Sequence, residues 1–174
     1  MPILAQLDFT QPVDVVNYAL TLEHLETAFY RDALTTFTAD DFTAAGFDPL
    51  VVEYLALIRD HEAAHVEALT AVVNDLGGEP VAEAEYDFGY TDVASFIATA
   101  AAIENTGVSA YQGAAGFLID EDALLTAALS IHGVEARHAA YLNGLNITSP
   151  FPAAVDPTLT PDEVLAIVTP FFVS

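Results

Sequence analysis

Apolar residues recur at alternating steps of four and three along four separate stretches of the chain, the spacing of a helix face directed at other helices. The first stripe is Val16, Leu20, Glu23, Thr27, Tyr30 and Leu34, in a helix opened by Pro12 and Asp14 and running to about Phe37. The second is Val51, Leu55, Ile58, Glu62, His65, Leu69, Val72 and Leu76, opened by Asp48-Pro49 and stopped by Gly77-Gly78. Ile97, Ala101, Glu104, Val108, Tyr111 and Ala115 form the third, in a helix capped by Thr91-Asp92 and ending near Gly116. Leu124, Ala128, Ile131, Glu135, His138, Leu142 and Leu145 form the fourth, with Asp120 as its cap, Glu121 and Asp122 in its first turn, and an end near Asn143-Gly144. The pattern predicts an all-α fold built on a four-helix bundle over about residues 13–146, followed by a tail over 147–174. In that tail Thr160-Pro161-Asp162-Glu163 has the form of a capping box opening a short final helix. Phe151, Phe171 and Phe172 are expected to pin the tail to the bundle. The whole chain, 1–174, is expected to form one domain.

Each stripe is broken by acids or imidazoles at positions that the periodicity assigns to the core. A Glu and a His three residues apart share one helix face, and the pair Glu62/His65 returns as Glu135/His138. Subtracting 73 carries the second pair onto the first, and subtracting 81 carries Glu104 onto Glu23 and Tyr111 onto Tyr30. The chain is therefore a doubled helical hairpin, and a pseudo-twofold axis brings four Glu and two His together. That is the ligand set of a dinuclear carboxylate site in a four-helix bundle. At about 1.5 Å per residue, Glu23 and Glu62 both lie about 20 Å from their shared turn, so the acids can occupy one layer. Between Asp92 and Asp120 the only charged residue is Glu104, and solvation of a polar face does not explain it.

The segment GGEPVAEAEYDFGY, residues 77 to 90, lacks helical periodicity and reads as a connection, as does TADDFTAAGFD. If the second and third helices run parallel, the longer connection must climb about 40 Å, and fourteen extended residues reach about 46 Å. An antiparallel neighbour needs only a few residues, so the length favours two hairpins joined by a long crossover.

Other polar residues admit more than one role. Glu26 lies three residues after Glu23 and could replace or supplement it as a ligand, although its repeat partner is Gly107. Tyr30 and Tyr111 read as core residues or as phenols bonded to a ligating Glu. His132, one turn before Glu135, is either a partner of the ligands or a partly exposed residue bonded locally. His24 and His61 fall off the stripes and read as surface residues. Gly107, Ala110, Gly113 and Ala114 permit close helix approach or a dimer contact, or leave room for a small oxidant.

Composition narrows the chemistry. With 26 Asp plus Glu against 3 Lys plus Arg, the formal charge is −23, so nucleic acid is repelled. The absence of Cys removes disulfides, thiolate sites and a Cys nucleophile. Mean hydropathy is +0.42, yet MPILAQLDFTQP has neither a basic region nor a long apolar run. Neither a signal peptide nor a membrane helix is expected, which leaves a cytoplasmic or a mature extracytoplasmic protein.

From Asp14 to Leu145 these residues resemble the ferritin-like superfamily of di-iron and di-manganese carboxylate proteins. LEHLETAFY, with Glu23 and Tyr30, looks like the first-helix motif of bacterioferritins, rubrerythrins and manganese catalases. VVNYALTLEHLETAFYRDAL and SPFPAAVDPTLTPDEVLAIVTPFF together resemble the ferritin-like domain of desiccation-related and fungal Rds1-type stress proteins. The resemblance implies two divalent metal ions, Fe or Mn, with Glu23, Glu62 and His65 serving one and Glu104, Glu135 and His138 the other, two of the Glu bridging. There is no Cys pair for a rubredoxin iron, and Met1 is the only methionine, so the haem ligand of bacterioferritin is missing. A metal-binding stress protein whose centre reacts with O2 or hydrogen peroxide is expected, an oxidoreductase of the ferroxidase, peroxidase or manganese catalase type if it turns over, with a homodimer as one arrangement. The alternatives are iron storage of the ferroxidase type and a non-catalytic desiccation protectant with a structural metal.

Overall fold

A computed structural model describes residues 7–173; the first six residues of the lead lie outside the described residues. Four long helices dominate: α1 (Pro12–Thr36), α3 (Leu50–Asp75), α4 (Val93–Ala114) and α5 (Asp122–Leu145). Two short ones accompany them, α2 (Ala39–Ala44) and α6 (Pro161–Val168). The stretch between the first two long helices, expected as a plain connection, thus contains α2. Its six residues are too few to show a stripe, but Thr38 and Asp41 cap it reciprocally.

Local chemistry accounts for most of the ends. Asp92 accepts from Ser95 N and Thr160 from Glu163 N, each within a complete capping box. Asp48 accepts from the backbone of Leu50, so α3 starts one residue later than the Asp-Pro pair suggests. Asp120 does not cap α5: Glu121 occupies the cap position and makes no side-chain bond there. Along α3 the buried line passes from Leu69 to Val73 rather than Val72, and Leu76 is exposed. A helix of 3.6 residues per turn drifts off a strict four-three alternation over six turns.

The helices pair as two hairpins, α1 with α3 and α4 with α5. Tyr30 reaches Glu104 and Tyr111 reaches Glu23, so α1 and α4 run antiparallel. In turn α3 runs parallel to α4, and the chain between them is a crossover. It is strapped along α1: Val81 N donates to the Asn17 side chain, His24 Nε2 lies 3.0 Å from Val81 O, and Arg31 pairs with Glu83. Further on, Phe88 and Tyr90 pack edge-on against Phe29. His24, read as a surface residue, is therefore a fastener of the crossover. The strap also covers a second side of α1, which explains why burial extends to Leu22, Leu25 and Phe29 beyond the first stripe.

The tail returns over α4 and ends on the crossover. Leu159 N donates to Ser109 O, and a Cβ on Gly113 would stand 1.9 Å from Leu159 O, so the tail backbone crosses α4 where glycine leaves space. Asp87 N donates to Phe171 O and Val173 N to Glu85 O, with Phe171 and Phe172 against Phe88 and Tyr86. Phe151 does not take part as expected; it is 80% exposed. Among the described residues no helix is long and apolar enough to cross a membrane.

Candidate metal centre

Glu23, Glu62, Glu104 and Glu135 are fully buried, with His65 and His138 beside them. Each sits on its stripe at a core position, and the two hairpins place all six in one layer. Two groups of potential ligands result, Glu23–Glu62–His65–Glu135 and Glu62–Glu104–Glu135–His138, each with ligand atoms within 4.8 Å of one another. Glu62 and Glu135 belong to both. Their oxygens divide accordingly. His65 Nδ1 lies 3.0 Å from Glu62 Oε2 and 3.1 Å from Glu135 Oε1, while His138 Nδ1 lies 2.9 Å from Glu62 Oε1 and 3.9 Å from Glu135 Oε2. Glu23 Oε2 completes the His65 side at 3.1 Å and Glu104 Oε2 the His138 side at 3.4 Å.

Only part of this proximity is hydrogen bonding: His65 Nδ1 bonds Glu23 Oε2 and Glu62 Oε2. Glu62 Oε1, Glu104 Oε2, both oxygens of Glu135 and His138 Nδ1 are buried without a hydrogen-bond partner. Unpaired buried polar atoms are costly, and these converge on shared points in the core. A set of carboxylate oxygens and imidazole nitrogens left free in this way suits a hard or borderline divalent cation.

The electrostatics match. Burial, then the neighbouring Glu135 charge, raises Glu23 and Glu104 well above the usual carboxylate range. Burial opposes charge on His65 and His138 too, but the surrounding carboxylates outweigh it and hold both imidazoles at about 12. At Glu135 burial is likewise outweighed by the two imidazoles, leaving it at about 2. Without metal, two imidazolium groups supply the positive charge that the site demands.

Both tyrosines prove to be partners of the cluster. Tyr30 donates to Glu104 Oε1 at 2.5 Å and Tyr111 donates to Glu23 Oε1. Each thereby leaves the Oε2 of its Glu facing a histidine. Burial raises both phenols well above their ordinary value, so they stay protonated donors.

Glu26 lies at the edge of the cluster, outside the two close groups. It is 2% exposed with Oε2 unpaired. A Cβ on Gly107 would approach Glu26 Oε1 to 2.8 Å and Glu135 Oε2 to 3.7 Å. The repeat partner that counted against Glu26 is thus the residue that makes room for it. Burial, followed by repulsion from Glu135, raises its pKa well above the usual range.

His132 makes no bond to the cluster; its Nε2 is buried and unpaired. His61 is exposed as expected, yet its Nδ1 lies 3.0 Å from His138 Nε2, with the two ring planes only 11° apart. Such a bond holds the His138 ring with Nδ1 turned to the carboxylates. The spacing of His61 to Glu62 carried no hint of this, because the contact crosses from α3 to α5.

A family model described as a ferritin-like domain matches residues 11–147. Protein rds1 of Schizosaccharomyces pombe is 29% identical over 163 residues, covering 91% of this chain. The chain spans 38% of the length of that curated relative.

Proposed function

The chain belongs to the ferritin-like domain family, and on that premise we propose that its buried cluster holds two divalent metal ions, iron or manganese, and reacts with O2 or hydrogen peroxide in stress protection. The observation that carries this reading is the set of carboxylate and imidazole atoms buried without partners in a water-excluded layer. Glu62 and Glu135, with one oxygen toward each histidine, would hold both ions. His65 and Glu23 complete one position, His138 and Glu104 the other. A bound metal pair would supply two-electron chemistry toward a small oxidant. The chain's own part is to keep the four carboxylates from water, to hold the terminal ones through Tyr30 and Tyr111, and to hold the His138 ring through His61.

Elemental analysis after purification without added metal, followed by reconstitution with Fe or Mn, is the direct test. Two equivalents per chain are expected, with peroxide or ferroxidase turnover above that of free metal; less than one equivalent after reconstitution would sink the reading. The same samples separate the other roles. A storage protein forms a large closed oligomer by light scattering. In a protectant with a structural metal, chelation lowers the melting temperature while turnover stays at background.

A further inference from the structure

The two hairpins pack intimately within themselves, but α3 and α5 have few close approaches to each other. Between them lies a cavity of about 570 Å³ whose inner wall includes His65 and His138. Peroxide has two heavy atoms, and a water takes up roughly 30 Å³ of liquid. The cavity is therefore far larger than an oxidant of this kind requires, and it falls in the range of about 300–1,000 Å³ that organic ligands occupy. Tyr54, Leu57, Ile58 and Tyr141 give it an apolar lining.

Its charge is unlike that of the rest of the molecule. The chain has 26 acidic residues, and none lines this cavity. Of the three basic side chains, Arg31 is paired with Asp32 and Glu83 and Arg59 with Asp60. The third, Arg137, makes no ion pair among the described residues and stands in the cavity wall. The internal repeat sharpens the point. Subtracting 73 carries Arg137 onto Ala64 and Val134 onto His61, and all four line the cavity. The two walls derive from equivalent positions, yet each has a donor where the other has a small apolar residue.

We propose that the cleft between α3 and α5 binds a small organic monocarboxylate with an apolar body, its carboxylate on Arg137 and its body against Tyr54, Leu57, Ile58 and Tyr141. His65 and His138 turn Nδ1 to the carboxylates behind them, so Arg137 is the cation of the chamber that is left to match one carboxylate, and the strongly negative surface elsewhere makes this the favourable place for an anion. His61, whose Nδ1 is committed to His138, faces the same chamber and orders its floor. The site is defined without reference to a bound metal.

Calorimetric titration of the full chain with octanoate tests this, with octanol as the uncharged control and with metal content recorded for each sample. Saturable one-to-one binding is expected in protein with and without metal, which separates this outcome from the fate of the metal reading. Arg137→Gln should weaken octanoate about ten-fold and leave octanol unchanged. Ala64→Phe, which fills the chamber from the opposite wall, should abolish binding of both while circular dichroism remains that of the parent. No saturation up to about 10 mM octanoate, a weak-ligand limit, overturns the proposal. So does binding that both variants leave intact. So does a dimer by light scattering that Ala64→Phe dissociates while octanoate fails to bind, since the cleft then belongs to a second copy of the chain.

Discussion

Tyr30 and Tyr111 each hold a carboxylate of the opposite hairpin, so removing one phenol strips a partner from a buried Glu without touching a ligand atom. Tyr30→Phe is expected to cost about 1–3 kcal/mol of stability in denaturant unfolding, the desolvation penalty of an unsatisfied Glu104 Oε1. It should also weaken metal about ten-fold or more, as loss of a partner behind a ligand generally does. A variant with unchanged metal affinity would show that the phenol does not orient Glu104. At this scale the sequence was most legible where a charge interrupts an apolar stripe, because a core position cannot hold an unpaired Glu without a reason. The roles of Glu26 and His61 were not legible. One depends on a space that the missing side chain of Gly107 leaves, the other on a contact between helices 77 residues apart in the chain.

Helices α3 and α5 end in the same way on different residues. At α3, Gly78 N bonds Val73 O and Gly77 N bonds Asn74 O, with Gly77 at φ 75°; at α5, Thr148 N bonds Asn143 O and Ile147 N bonds Gly144 O, with Ile147 at φ 57°. Both are Schellman closures, which favour glycine at the left-handed position. Ile147 is 96% exposed, so its side chain gains nothing from packing while its branched Cβ crowds the backbone. Ile147→Gly is expected to stabilise the protein by about 1 kcal/mol, a rise of about 2–4 °C in melting temperature. A fall would mean that the conformational entropy glycine adds to the unfolded chain outweighs the relieved strain. The sequence marked Asn143-Gly144 as the stop because glycine commonly occupies this role; the helix instead runs one residue further and closes on isoleucine. The Asp120 cap failed for a similar reason: Leu118 O takes Glu121 N, which sets the helix start after Asp120.

For the whole molecule, the long connection was legible from its length, since only a crossover needs so many residues, but its path along α1 was not. That path rests on Asn17, His24 and Arg31, polar residues that periodicity assigns to solvent. In the proposed function, metal binding couples to the stability of this assembly. His65 and His138, held at about 12 by the carboxylates around them, must each release a proton before Nδ1 can coordinate. Mn or Fe uptake should therefore tighten as pH rises from 6 to 8 and release protons, seen as a dependence of calorimetric heat on buffer ionisation enthalpy; pH-independent binding would exclude displacement of imidazole protons. Metal at a hundred-fold its dissociation constant should add about 2.7 kcal/mol, or about 5–11 °C at this chain length. The pairing of Glu26 with Gly107 has a different bearing, on ancestry. Two copies of one hairpin meeting about a true twofold axis would carry the same residue at both places: two carboxylates in a space that holds one, or two glycines with a void between them. Joining the hairpins in a single polypeptide releases that constraint, so this pair marks a departure from symmetry that a homodimer of hairpins could not have reached.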